Sequence, residues 1–239
     1  LRARENFPLS GYRVDPLLIK AYGYVKKACC LVNQESGDLP ADQAGWILAA
    51  CDELISGRLD EWVVVDALSG GAGTSLNMNI NEVLANRALV LAGRARGDYA
   101  FISPLDHINR YQSTNDTFPT ALKVAALFYL HELEEGLTGL QQVLLRKEEA
   151  FRSVVKIGRT EWQEAVPMTL GAEFSGYAET ASNDRWRVFK ARERLRMINL
   201  GGTAVGTGLG APRRYIFAVT ETLRELTGLN LCRDRKSVV

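Results

Sequence analysis

Three stretches of this 239-residue chain break an otherwise helical pattern and gather small hydroxyl, amide and glycine residues. The first, from Gly70 to Asn81, reads Gly-Gly-Ala-Gly-Thr-Ser-Leu-Asn-Met-Asn-Ile-Asn. A glycine-rich turn entering a helix offers backbone N–H groups and the positive end of the helix dipole to an anion, and Thr74 and Ser75 stand where that anion would lie. A phosphate loop would add Gly-Lys-Ser/Thr, and this stretch holds no lysine. A tight turn with a capped helix accounts for the same residues. The second stretch runs from His107 to Thr120, and Ser113, Thr114 and Asn115 in it are three adjacent hydrogen-bonding side chains. A carboxylate is held by several donors converging on it. The same residue types are also the preferred N-caps for the helix that follows. The third stretch, Gly158 to Thr169, places Arg159, Thr160, Glu161 and Gln163 in a short connection between two helical runs. Glu161 has a purely structural alternative there, as ion-pair partner of Arg159.

The remaining reactive residues are sparse. The two histidines, His107 beside Asp106 and His131 among Glu132, Glu134 and Glu135, are not at ligand spacing with cysteines or carboxylates, so no metal site is expected. Cys29, Cys30, Cys51 and Cys232 form no CxxC pair, and all but Cys232 sit in apolar helical patterns, which fits buried thiols in a reducing compartment. With 29 basic and 28 acidic residues the net charge is +1, which excludes the electrostatic footprint of a nucleic-acid or anionic-membrane binder. An anionic substrate would therefore be held by local groups. No run reaches membrane-spanning length and the first residues carry no apolar signal core, so a cytoplasmic protein is expected.

These segments need long helices to position them. Pro16 to about Glu35 repeats Leu17, Leu18, Ala21, Tyr24, Val25 and Ala28 at helical spacing, and Pro40 opens a second helix through Trp46, Leu48 and Leu54. Trp62 to Val65 reads as a short strand or an extended connection. A helix is expected from about Asn77 to Arg96, then an irregular run to Asn115. Long helical patterns follow from about Thr117 to Val154 and from about Thr169 to Ile198, with an irregular stretch at Gly158 to Pro167 between them. Helices several times the usual length of about 11 residues need partners along their whole length, as in an elongated bundle shared between subunits. A glycine-rich loop at 201–210 precedes a last helix that begins after Pro212. At 46% hydrophobic residues the chain can bury a sizeable core.

Taken in order, the segments Gly71 to Asn86, Gln112 to Thr120, Gly158 to Gly171 and Asn199 to Gly208 resemble the signatures of the aspartase/class II fumarase family, and Glu5-Asn6-Phe7-Pro8 and Val25-Lys-Lys-Ala28 are similar to its opening. The resemblance implies a mainly α fold: an N-terminal helical domain over 1–111, then a long-helix bundle over 112–239. That bundle is incomplete here, and residues from about 229 carry no family likeness. It implies a homotetramer with active sites built from several subunits. The implied chemistry is anti elimination from a small dicarboxylate or amino-dicarboxylate through a carbanion held as an aci-carboxylate, and it needs no cofactor.

Carried over by position, Thr74, Ser113, Thr114, Asn115 and Thr160 bind substrate. The family's base is a serine in a Gly-Ser-Ser-x-Met-Pro-x-Lys-x-Asn loop. That pattern has no counterpart here, so no catalytic residue is assigned within this chain. Fumarases carry histidine at the position of Glu161 and usually serine at that of Ala72. Both departures favour aspartate and release of ammonia, with Glu161 pairing with the substrate ammonium. Class II fumarase is the alternative, and a non-catalytic assembly partner is a third reading. Ser103-Pro-Leu-Asp106 departs from the His-Pro-Asn-Asp or Asn-Pro-Asn-Asp of the family's secondary dicarboxylate site.

Overall fold

The structure, a computed structural model, describes residues 2–234. Its order is α1 (Arg2–Asn6), α2 (Pro16–Glu35), α3 (Ala41–Ile55), α4 (Thr74–Leu91), α5 (Thr114–Ala150), β1 (Val155–Thr160), β2 (Gln163–Thr169), α6 (Leu170–Leu195), β3 (Met197–Ile198), α7 (Arg213–Thr227) and β4 (Cys232–Arg233). The fold is mainly α. The chain forms two compact units, one from residues up to Ala126 together with those from Leu195 onward, the other from Leu127 to Arg194. The expected loss of family likeness from about 229 concerns in part residues 235–239, which lie outside the described residues.

In the first unit α2 packs on α3 and α7, and α3 on α4. Pro16 at the first position and the Asp15 carboxylate, which accepts from the N–H groups of Leu17 and Leu18, start α2. Tyr22, Val25, Ala28 and Cys29 of α2 meet a core that includes Ile47 and Leu54 of α3, Ile80 and Leu84 of α4, and Tyr215 and Val219 of α7, all essentially closed to solvent. Truncating one such leucine to alanine costs about 2–5 kcal/mol. Helix α7 buries Tyr215, Ile216, Val219, Thr220 and Leu223, a stripe at three- and four-residue spacing. It stops at left-handed Gly228, whose N–H donates to the Arg224 carbonyl at 2.8 Å. In the stretch Trp62 to Val65, the residues from Val63 onward form the extended connection, not a strand. Asp60–Trp62 make a single 3₁₀ turn, and the Asn79 side-chain oxygen accepts from the N–H groups of Val64 and Val65 at 2.9 and 3.4 Å.

In the second unit the stretch expected to be irregular is an antiparallel hairpin. β1 pairs with β2 from Val155↔Thr169 to Thr160↔Gln163, with an irregularity at Gly158. The turn residues Glu161 and Trp162 both have positive φ, +49° and +65°, as a type I′ hairpin turn requires. Such turns usually carry Asn-Gly, and Pro167 argues against a strand, so local signals pointed away from the hairpin. Most of its side chains are exposed on both faces, so no period-2 burial pattern marks it either. Phe151 and Phe174 pack with ring centres 5.5 Å apart, and Lys156 pairs with Glu173 at 2.7 Å. Arg192 pairs with Glu134, and Arg185 donates to Gln141 at 2.7 Å. Leu133, Leu140 and Val143 of α5 and Tyr177, Trp186 and Phe189 of α6 remain exposed.

Candidate active site

Helix α4 starts at Thr74, three residues earlier than its apolar pattern suggests, because Gly71, Ala72 and Gly73 take φ values of +79°, +48° and +85° and turn the chain sharply into it. The Thr74 hydroxyl donates to the Gly71 carbonyl at 2.7 Å. Thr74 and Ser75 open on a cleft of about 710 Å³ that Arg4, Val64, Asn79 and Glu82 also line. A Cβ on Gly73 would lie 2.2 Å from the Phe118 ring, so this glycine lets the first segment close on the second.

Ser113, Thr114 and Asn115 form the entry to α5. The Ser113 hydroxyl accepts from the Asn115 N–H at 3.2 Å, so part of the group acts as a cap. The rest is held from behind. Asp116, 1% exposed, accepts from the Ser113 N–H at 3.0 Å and from the Thr203 N–H at 2.9 Å. Asn115 donates to the Ala204 carbonyl at 2.7 Å, and Asn77 of α4 donates to the Thr114 hydroxyl at 3.2 Å. Three of the motif segments, around residues 74, 114 and 203, thus meet in one place within the first unit. Burial raises the Asp116 carboxyl to about 6, against the lowering effect of the N–H bonds from Ser113 and Thr203.

Thr160 and Glu161 lie in the second unit, exposed at the hairpin tip beside Trp162. Arg159 faces Glu164 at 3.8 Å. Among the described residues, the non-glycine positions with left-handed φ are Ala72, Tyr111, Glu161, Trp162 and Thr203. Each lies in one of the four signature segments or next to one. Such backbone strain costs about 1–3 kcal/mol per residue and gathers at functional sites.

Beneath this site lies a lysine that the sequence marks only as part of Val25-Lys-Lys-Ala28. Lys26 of α2 is fully buried, and its ammonium donates to Asn77 Oδ1, Asn109 Oδ1 and Gln112 Oε1 at 2.8, 3.2 and 2.7 Å. Burial lowers it to about 8. Its position, four residues after Tyr22 and three before Cys29 on the apolar face of α2, was the available signal. Farther along, the His107 Nδ1 accepts from the Ser103 N–H at 2.8 Å, and burial lowers its pKa. Among the described residues no group of three metal-ligating side chains is gathered, and no helix is long and apolar enough to cross a membrane.

The lyase family model matches residues 1–238, and the chain belongs to that family. It is 49% identical over 228 residues to an aspartate ammonia-lyase from a Bacillus species, across 95% of this chain and 49% of that relative. Its structure is similar to that of fumarate lyase:delta crystallin from Brucella melitensis bound to cobalt, with a TM-score of 0.94, 44% identity and coverage of 98% of this chain and 51% of that one. A class II fumarase from Schistosoma mansoni matches with a TM-score of 0.87 and 31% identity, over 95% of this chain and 48% of the fumarase. The chain spans about half the length of the curated relatives it matches.

Proposed function

We propose that the complete protein is an aspartate ammonia-lyase, converting L-aspartate to fumarate and ammonia by anti elimination. The observation that carries this reading is the cluster of hydroxyl and amide groups where the segments around residues 74, 114 and 203 meet, with left-handed Ala72, Tyr111 and Thr203 in or beside those segments. The aspartate ammonia-lyases among the relatives support it. Thr74, Ser113, Thr114 and Asn115 hold the substrate carboxylate, where neutral donors stabilise the charge that develops as the β-proton leaves. Thr160 and Glu161 act from a hairpin tip that belongs to another subunit's site, with Glu161 facing the substrate ammonium. A homotetramer in the cytoplasm is part of the same proposal, and the exposed apolar side chains of α5 and α6 are consistent with burial between subunits. No cofactor enters the chemistry.

Ultraviolet absorbance of fumarate, followed with L-aspartate and with L-malate in turn, tests the reading. Fumarate from aspartate alone supports it, and fumarate from malate alone makes the protein a fumarase, the alternative to which the Schistosoma structure lends only weak support. Binding of a dicarboxylate with no turnover, together with hetero-oligomers when mixed with a full-length homologue, makes it an assembly partner. Glu161→Gln is expected to raise KM for aspartate about tenfold, since a charge-assisted contact of about 1.5 kcal/mol is lost. Unchanged KM and kcat remove Glu161 from the site.

A further inference from the structure

The buried polar cluster beneath the entry to α5 holds a lysine that the elimination itself does not use. An ammonium has three donors and no acceptor. Lys26 gives all three to side-chain amide oxygens, those of Asn77, Asn109 and Gln112. Each amide is thereby turned with its oxygen inward. For Asn77 this leaves the Nδ2 group facing Thr114, where it donates to the hydroxyl oxygen at 3.2 Å. The Asn77 oxygen also accepts from the Thr117 hydroxyl at 3.2 Å, which holds the amide from the α5 side. A hydroxyl that accepts one hydrogen bond keeps its own hydrogen for another partner.

We infer that Lys26 is a positioning residue, acting through Asn77 to present the Thr114 hydroxyl as a donor to the substrate carboxylate. This rests on the reading of Thr114 under Proposed function. The charge state of the lysine matters because a neutral amine has one lone pair. An amide could then donate to it, and the orientation of Asn77 would no longer be imposed. The titratable groups near Lys26 are Tyr22 and Cys29 on α2, Cys51 on α3, Asp116 on α5 and Tyr215 on α7, while α4 and residues 109–112 contribute amides. Burial raises the phenols and thiols, which keeps them neutral, so Asp116 is the anion of this group at neutral pH. Lys26, lowered by burial to about 8, is still charged at pH 7 and loses its charge above about pH 8.

The test is a double-mutant cycle on turnover by the complete protein, with Lys26→Met, Thr114→Val and their combination. Each single change is expected to lower kcat/KM about 100-fold, the usual effect of losing one donor to a developing oxyanion. The combination should lose no more than about 100-fold, because both changes remove the same donor. Multiplied losses near 10⁴-fold overturn the inference, since a lysine that only supports the fold would act independently of Thr114. If Lys26→Met does not fold, Asn77→Ala takes its place in the cycle with the same two outcomes. Lys26→Arg keeps the charge, so the alkaline fall in kcat/KM near pH 8 should move to higher pH, and an unmoved limb also overturns the inference. Thr114→Val with wild-type kinetics overturns the reading of Thr114 and this inference together, whereas a deleterious Thr114→Val with multiplied losses overturns only the inference. Should malate be the substrate, the cycle is read on malate. Should neither turn over, it is read on succinate affinity by calorimetry.

Discussion

Replacing Gly73 by alanine should both destabilise the protein and pull two signature segments apart. Gly73 sits at φ +85°, and a Cβ there would meet three Phe118 ring atoms at 2.2 to 2.7 Å. A left-handed residue with a Cβ costs about 1–2 kcal/mol. Forcing a methyl into a filled contact costs about 1–3 kcal/mol more. The expected loss is about 2–5 kcal/mol, which for a domain of this size lowers the melting temperature by roughly 5–15 °C. The assay is thermal and denaturant unfolding followed by circular dichroism. Gly45→Ala in α3 is the control, because a Cβ there meets nothing within 4 Å and a helical glycine costs about 1 kcal/mol relative to alanine, so it should stabilise. In Gly73→Ala/Phe118→Ala the steric part disappears while the backbone part stays, so the two losses should sum to more than the double. Gly73→Ala within about 0.5 kcal/mol of wild type would refute the reasoning, for then neither the turn nor the ring contact is what the glycine provides.

Three further outcomes follow from the buried charges and thiols. Glu53 accepts from Arg87 at 2.6 and 2.7 Å, and this hydrogen bonding with the guanidinium holds its carboxyl below the usual value. Its stabilising share is therefore present above the ordinary glutamate range and lost as pH falls through the lowered value. Glu53→Gln should cost about 1–3 kcal/mol at pH 7 and flatten the acid side of the stability profile, as urea titrations would measure. Lys26, lowered from 10.5 to about 8, acts with the same sign on the alkaline side: its share of the stability rises from about pH 8 towards 10.5, against the fall that the raised Cys29, Cys30 and Cys51 thiols bring above about pH 9, so the wild-type profile minus that of Lys26→Met should rise across this window. Cys29 and Cys30 are buried and their thiols are pushed up to about 12, while Cys232 is partly exposed. A thiol reagent should label Cys232 in the native state, and Cys29, Cys30 and Cys51 only after unfolding, which peptide mass mapping would show.

Much of this protein was legible in its sequence because the relevant physics is local. Asp15-Pro16 and Pro212 start helices, Gly228 stops one, and the apolar spacing of α2 and α7 repeats within a few residues. The glycines before Thr74 and the Ser-Thr-Asn run at 113–115 stood out because helix entries and tight turns select those residues. Their order along the chain also carried the family resemblance. What only the tertiary structure decided depends on residues far apart in sequence. The hairpin at 155–169 has a turn, Glu161-Trp162, that local propensity would not choose, and pairing across the two strands holds it. A lysine in an apolar helix looks like an exception until Asn77, Asn109 and Gln112 arrive from 51, 83 and 86 residues away to accept its three hydrogen bonds. Asp116 reads as a helix-entry residue until Thr203 reaches it across 87 residues and makes it the clamp between two loops. Desolvation sets the ionisation of both groups, and desolvation is a property of the packed core that no short window of sequence contains.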